Sequence, residues 1–172
     1  MILPDSGERR QFASGAVRDI AQGKGRCDLM PLDVIGEWLD DAILCKINEY
    51  LYKGGFNRLW EAFRLFSNER WEHTATALLE VAKHFEDGAI KYGDRNWEKG
   101  IPVHCYIDSA VRHYLKFRRG DDDEPHDRAF AWNILCAIWT HKHYPHLIDI
   151  PAEKLTTKEH ECNECKSCTS HP

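Results

Sequence analysis

The sequence predicts an all-α fold: a helical bundle of about four main helices, with short extra helices and a flexible cysteine-rich tail. Three observations predict it. Apolar residues recur at steps of three and four in several stretches. No stretch alternates apolar and polar residues for a useful strand length. Glycine and proline breaks separate the periodic stretches at helix-sized intervals. With 172 residues, 42% of them hydrophobic, the chain suits a single domain with one sizeable core.

Each element follows in order. Residues 1–15 are polar and read as a flexible N-terminal arm. Residues 16–31 hold Gly23, Gly25 and a closing Pro31, and read as an extended loop. Trp38, Ile43, Ile47 and Leu51 place a helix over 36–52, which Gly54-Gly55 stops. Residues 57–66 suit a short apolar helix or turn. A stronger helix spans 70–92, with Leu78, Ala82, Phe85, Ala89 and Tyr92 as its apolar face. The 93–102 segment is a loop, and Pro102 opens the helix at 103–119. A charged turn at 120–125 leads to a last helix over about 126–143. Its apolar residues point nearly all round, which places it in the middle of the bundle. The helical domain thus covers 16–150, and 151–172 form a polar Cys/His-rich tail.

Composition excludes several classes. A net charge of −5 gives no basic surplus for nucleic acid, so no stable nucleic-acid partner is expected. No apolar run approaches the roughly 20 residues of a membrane span. The first ten residues lack signal-peptide features, so a soluble cytoplasmic protein is expected. Seven cysteines, an odd number without a secretion signal, are expected to be reduced. Cys162, Cys165 and Cys168 with His171 could hold Zn²⁺ in the tail. Four ligands within ten residues make a cramped site, and a disordered, metal-scavenging tail is the alternative reading.

Candidate chemistry is scattered. Lys24 and Arg26, flanked by Gly23 and Gly25, suit a phosphate, or form an ordinary basic surface loop. Glu80, His84, Asp87 and Lys91 share one helix face, roughly opposite the apolar one. Their carboxylates suit Mg²⁺ or Mn²⁺, and a solvated outer face explains them as well. Asp108 and Arg112, at i and i+4 with His113 adjoining, form either a surface ion pair or a metal and phosphate pair. On the apolar last helix, His126, Asp127 and Asn133 need polar partners or a site.

Taken together, SGAVRD (14–19), GKGRCDLMP (23–31), LLEVAKHFEDGAIKYGDRNWEKG (78–100), DSAVRHYLKFRRG (108–120) and PHDRAFAWNILCAIW (125–139) resemble, in order, the phage dATP/dGTP diphosphohydrolase family. That family is grouped with MazG-like all-α nucleotide pyrophosphatases. The resemblance covers about residues 14–146. It implies hydrolysis of purine deoxynucleoside triphosphates to monophosphate and pyrophosphate, with Mg²⁺ or a similar cation, in a homo-oligomer serving phage nucleotide-pool control in the host cytoplasm. It implies triphosphate contacts for Lys24, Arg26, Lys91, Arg95, Asn96 and Arg112, and base stacking for Trp97. His113 and Asn133 join the substrate-binding set. Glu80, Asp108 and His126 are the candidate catalytic residues, and Glu80, Asp87, Asp108, His126 and Asp127 the candidate metal ligands. The E-x-x-E and E-x-x-D pairs usual in MazG-like enzymes do not stand in the matching blocks. Two alternatives are an HD-type metal phosphohydrolase built on His126-Asp127, with a further histidine and Asp149, and a non-catalytic nucleotide- or zinc-binding module.

Overall fold

A computed structural model describes residues 7–150. The fold is all-α. Its helices are α1 (Leu32–Leu39), α2 (Ala42–Lys53), α3 (Asn57–Trp71), α4 (Thr74–Tyr92), α5 (Val103–Arg119) and α6 (His126–His143). Short 3₁₀ turns occur at Cys27–Leu29, Asn96–Lys99 and Pro145–Leu147. None of the described helices is long and apolar enough to cross a membrane.

α6 is the centre of the bundle. It packs against α3, α4 and α5 and buries Ala129, Phe130, Ala131, Ile134, Cys136, Ala137 and Ile138. These residues cover most of the helix circumference, with Arg128, Trp132, Leu135 and Trp139 on the half-buried remainder, and the helix takes the expected central position. Beside it, α3 contributes Phe66, whose ring meets those of Phe130 (4.5 Å), Phe117 (5.3 Å), Trp71 (5.5 Å) and Tyr114 (5.9 Å) at steep angles. Edge-to-face contacts of this kind add to the burial of each ring.

The sequence reading needs four corrections. The helix expected over 36–52 is two helices. Asp40 takes a left-handed conformation (φ 54°), and the Asp41 carboxylate then accepts the Ile43 and Leu44 amides at 3.0 and 3.1 Å, starting α2 anew. Gly36 permits the fold-back: a Cβ there would lie 2.7 Å from Cys45 Sγ. Second, α3 runs to Trp71 rather than stopping near 66, because Phe66 and Trp71 continue its buried face. α4 accordingly begins at Thr74, after Glu72 (φ 66°) breaks the chain and His73 caps the new helix.

Third, the buried face of α4 is turned away from the expected one. Ala77, Val81 and His84 are inside, whereas Leu78, Leu79 and Ile90 are 47%, 71% and 71% exposed. The polar stripe through His84 and Lys91 therefore faces the protein body. Fourth, there are two short strands. β1 (Arg9–Gln11) pairs antiparallel with β2 (Val17–Asp19), in the register Arg9 with Asp19, Arg10 with Arg18 and Gln11 with Val17. Strands of three residues are too short to show an alternating pattern. This hairpin takes in residues 9–15 of the expected arm.

The cap of α2 also ties two layers together. Asp41 accepts a 2.5 Å hydrogen bond from the buried Tyr114 hydroxyl of α5. Replacing Asp41 with alanine removes a cap and leaves that hydroxyl proton without its acceptor, at a combined cost of about 2–4 kcal/mol. Urea unfolding should show the midpoint of D41A falling accordingly. D41N, which keeps a cap acceptor, should fall less, and an unshifted D41A midpoint would refute this role.

Candidate functional site

The N-terminal hairpin, the following loop, α4, the 93–101 loop, α5 and α6 enclose a cavity of about 730 Å³. That volume lies within the range of small-molecule sites. Of the sequence candidates, Lys24, Lys91, Arg95, Asn96, Trp97, Asp108, Arg112, His113 and Asn133 line it, as does His84. The candidates come from four separate segments, and α4 lines the cavity with His84 and Lys91 of its polar stripe as well as Phe85, Ala89 and Tyr92 of the expected apolar face.

Several of these residues hold the walls. Asn133 on α6 accepts from the Arg18 guanidinium at 2.8 Å and donates to the Ala129 carbonyl at 2.8 Å. Arg18 also reaches the Cys105 carbonyl (3.0 Å) and Ser109 Oγ (3.2 Å), and lies over the Tyr106 and Trp132 rings. Asn96 clamps β2 with two bonds to the Val17 backbone, at 2.9 and 3.0 Å. Asp108 accepts the Cys27 amide at 2.7 Å and pairs with Arg112, whose Nε donates to the Lys24 carbonyl at 3.1 Å. Both oxygens of Asp108 are thus engaged by the protein, and the Lys24 loop is anchored over α5.

The cavity is electrostatically uneven. Lys91 pairs with Asp19 at 2.8 Å, and Asp19 also accepts from the Tyr92 hydroxyl at 2.9 Å. Among the described residues, Lys24 has no carboxylate within salt-bridge distance. Burial, ahead of attraction to Asp19 and repulsion from Arg112 and Lys91, lowers its pKa. An aromatic cluster forms another part of the lining: Phe85 contacts Trp97 (5.5 Å) and Trp132 (5.8 Å), and His84 contacts Trp132 (5.7 Å). Burial pushes His84 down to about 4, so its ring is neutral. His84 Nδ1 and Trp132 Nε1 are buried with no hydrogen-bond partner among the described residues, which suits hydrogen bonds to a ligand in the cavity.

At one corner of the cavity, His113 and Glu124 meet His126. The His113 and His126 Nδ1 atoms are 3.0 Å apart, and Glu124 Oε1 lies 3.3 and 3.4 Å from them. His126 Nε2 is 2.8 Å from Asp123 Oδ1, and Lys116 binds the other Asp123 oxygen at 2.9 Å. Lys116 and then His126 hold the Asp123 carboxyl down at about 2. Burial first, then repulsion by His126, holds His113 well below the usual histidine range.

Other candidates lie elsewhere. Arg26 is half exposed and locked on Asp28 at 2.5 and 2.7 Å. Glu80 binds Lys83 and Arg128, and Asp127 binds Arg70 at 2.8 Å. Both line a smaller depression bounded by Arg70, Trp71 and Pro125. Asp87 does not line the cavity. Glu80, Asp87, Asp108, His126 and Asp127 are therefore not brought together. The HD-type arrangement is not assembled either: His126 and Asp127 point to different neighbours, and Asp149 binds His104. Cys162, Cys165, Cys168 and His171 lie outside the described residues, while Cys27, Cys45, Cys105 and Cys136 are free thiols.

Sequence reasoning missed Arg18, Asp19, Tyr92, Ser109, Lys116 and Glu124. The one available signal was for Glu124, which precedes Pro125 at the start of α6 and so must lie near His126. The others depend on packing between distant segments.

The cavity's composition agrees with similarity to known proteins. Residues 65–150 match the family model described as dATP/dGTP diphosphohydrolase, N-terminal. No curated protein and no solved structure matches the chain. The matched region carries α4, the 93–101 loop, α5 and α6, which supply most of the cavity lining. The chain belongs to the dATP/dGTP diphosphohydrolase family.

Proposed function

We propose that the protein hydrolyses purine deoxynucleoside triphosphates between the α and β phosphates, releasing the deoxynucleoside monophosphate and pyrophosphate. One observation carries this reading. A single cavity combines a lysine that has no salt-bridge partner among the described residues, and neighbouring arginines, with an aromatic cluster that holds two orphaned ring nitrogens. A nucleotide offers the complementary parts, a polyanion and a flat base with hydrogen-bonding edges.

In this reading Lys24, Arg112 and Lys116 face the triphosphate. Arg18, held by Asn133, Ser109 and the Cys105 carbonyl, connects the cationic and aromatic regions. Trp97 and Phe85 contact the base, Trp132 Nε1 donates to its edge, and His84 Nδ1 donates to or accepts from it. Fixed donors facing a leaving pyrophosphate stabilise its charge without reorganising during the reaction. Phosphoryl chemistry of this kind uses a divalent cation, with Mg²⁺ or Mn²⁺ the expectation from the resemblance. Among the described residues, the donor sets that fit an ion are His113–Glu124–His126 and Asp121–Asp123–His126. A bound cation supplies Lewis acidity to a phosphate oxygen. The chain's own contribution is to place the α-phosphorus beside that corner and to keep the triphosphate extended along Lys24 and Arg112.

The decisive experiment is incubation of purified protein with dATP, dGTP and the ribonucleotides plus a divalent cation, followed by product identification. Deoxynucleoside monophosphate and pyrophosphate are expected, and release of triphosphate or orthophosphate would exclude the proposal. A second outcome follows from Lys24. Its ammonium is the binding form, and its pKa lies below the ordinary 10.5. Triphosphate affinity should therefore be full near neutral pH and decline as pH rises through that lowered value. In K24R the guanidinium stays charged, so the alkaline rise in KM should move to higher pH. An identical KM profile in the two proteins would remove Lys24 from the phosphate site.

A further inference from the structure

We infer that His113, Glu124 and His126 form a site for a divalent transition ion of the Mn²⁺-to-Zn²⁺ series, in preference to Mg²⁺. The site opens on the cavity, and this deepens the hydrolase reading, on which the ion's role rests. Spacing is the first ground. The three donor atoms lie 3.0, 3.3 and 3.4 Å from one another. Bonds of about 2.0–2.1 Å at tetrahedral angles separate ligand atoms by roughly 3.3 Å. The donors therefore already stand where such an ion would hold them.

The second ground is the arrangement of lone pairs. An ionised carboxylate only accepts hydrogen bonds, so Asp123 assigns the proton of a neutral His126 ring to Nε2. His126 Nδ1 then presents a bare lone pair. It faces Glu124 Oε1 and His113 Nδ1. Three atoms that can each offer a lone pair converge, and one cation satisfies all three. The order Asp123, His126, ion is the carboxylate–histidine arrangement that orients and strengthens histidine ligands in metal sites.

The third ground is access. His126 is almost wholly enclosed, with its side chain 1% exposed. His113 and Glu124 line the cavity, so three protein ligands leave the remaining coordination positions to a substrate oxygen or water. The competing set, Asp121–Asp123–His126, is weaker. Arg119 engages Asp121, Lys116 engages Asp123, and the His126 nitrogen on that side already bonds to Asp123. Two imidazoles and one carboxylate suit the Mn²⁺-to-Zn²⁺ series, whereas Mg²⁺ favours an octahedron of oxygens.

The test is Co²⁺ titration of chelator-treated, full-length protein, followed by visible absorption. One ion per chain should give d–d bands of N/O ligation that a large excess of Mg²⁺ does not bleach. Glu124→Gln should weaken Co²⁺ binding at least about 10-fold, with an unchanged far-UV circular dichroism spectrum. Should His126→Asn fail to fold, E124Q together with His113→Asn decides the matter. Serine at Cys162, Cys165 and Cys168 should leave the bands intact. Bands lost in that triple variant, or equal Co²⁺ affinity in E124Q, H113N and wild type, would overturn the site. Pyrophosphate release from nucleotide by a protein without the Co²⁺ site refutes the site and leaves the hydrolase reading standing. A Co²⁺ site in a protein that hydrolyses no nucleotide does the reverse.

Discussion

Everything near the cavity follows from one constraint: α6 is buried round most of its circumference, yet its buried residues include His126, Asp127, Asn133 and Thr140. A buried polar group without a partner costs about 1–3 kcal/mol. Three of these four recruit partners from other elements or from the turn before the helix. Asn133 takes Arg18 from the hairpin, His126 takes His113 of α5 and the acidic turn, and Asp127 takes Arg70 of α3. Successive helix residues point about 100° apart. Partners of His126 and Asp127 must therefore come from different directions, which is why an H-D dipeptide does not make a joint site here.

Charge is distributed by the same logic. Placing several cations around one cavity is destabilising unless most are neutralised. Asp19 serves Lys91, Asp108 serves Arg112, and Asp123 serves Lys116. These pairs fix cation positions and limit mutual repulsion. Among the described residues Lys24 is left without such a pair, on a loop anchored through its own carbonyl and the Cys27 amide. A bound polyanion would supply the counter-charge that it lacks.

The main secondary structure was legible because it rests on local signals. Pro102, Gly120 and Pro125 bracket α5 and α6, and their expected and observed limits coincide. The break at Asp40–Asp41 was not legible, since the apolar period continues across it and only the Asp41 cap and the Gly36–Cys45 approach reveal it. The face of α4 was misread because its apolar residues outnumber the space available inside. Ala77 and Val81 take the buried positions, while Leu78, Leu79 and Ile90 remain outside. In the site, residues in compact motifs such as Lys91, Asn96, Trp97 and Arg112 were found. Arg18 and Asp19 sit in a strand of three residues, and their partners lie 72 to 115 positions away, beyond any local pattern.

The hairpin also decides what counts as the functional unit. The family match begins at residue 65, whereas Arg18, Asp19 and Lys24 precede it by more than a helix–turn–helix length of chain. Without those residues, Asn133 loses its acceptor role, Lys91 loses its counter-charge and Arg112 loses the carbonyl that orients its Nε. Each loss strands a polar group on the wall of the cavity formed by α4, α5 and α6. The wall and the hairpin are therefore one electrostatic unit, although they are far apart in sequence. The energetic reason is again α6: Asn133 is buried among apolar neighbours at the bundle centre, and the guanidinium that satisfies it arrives only with the N-terminal segment.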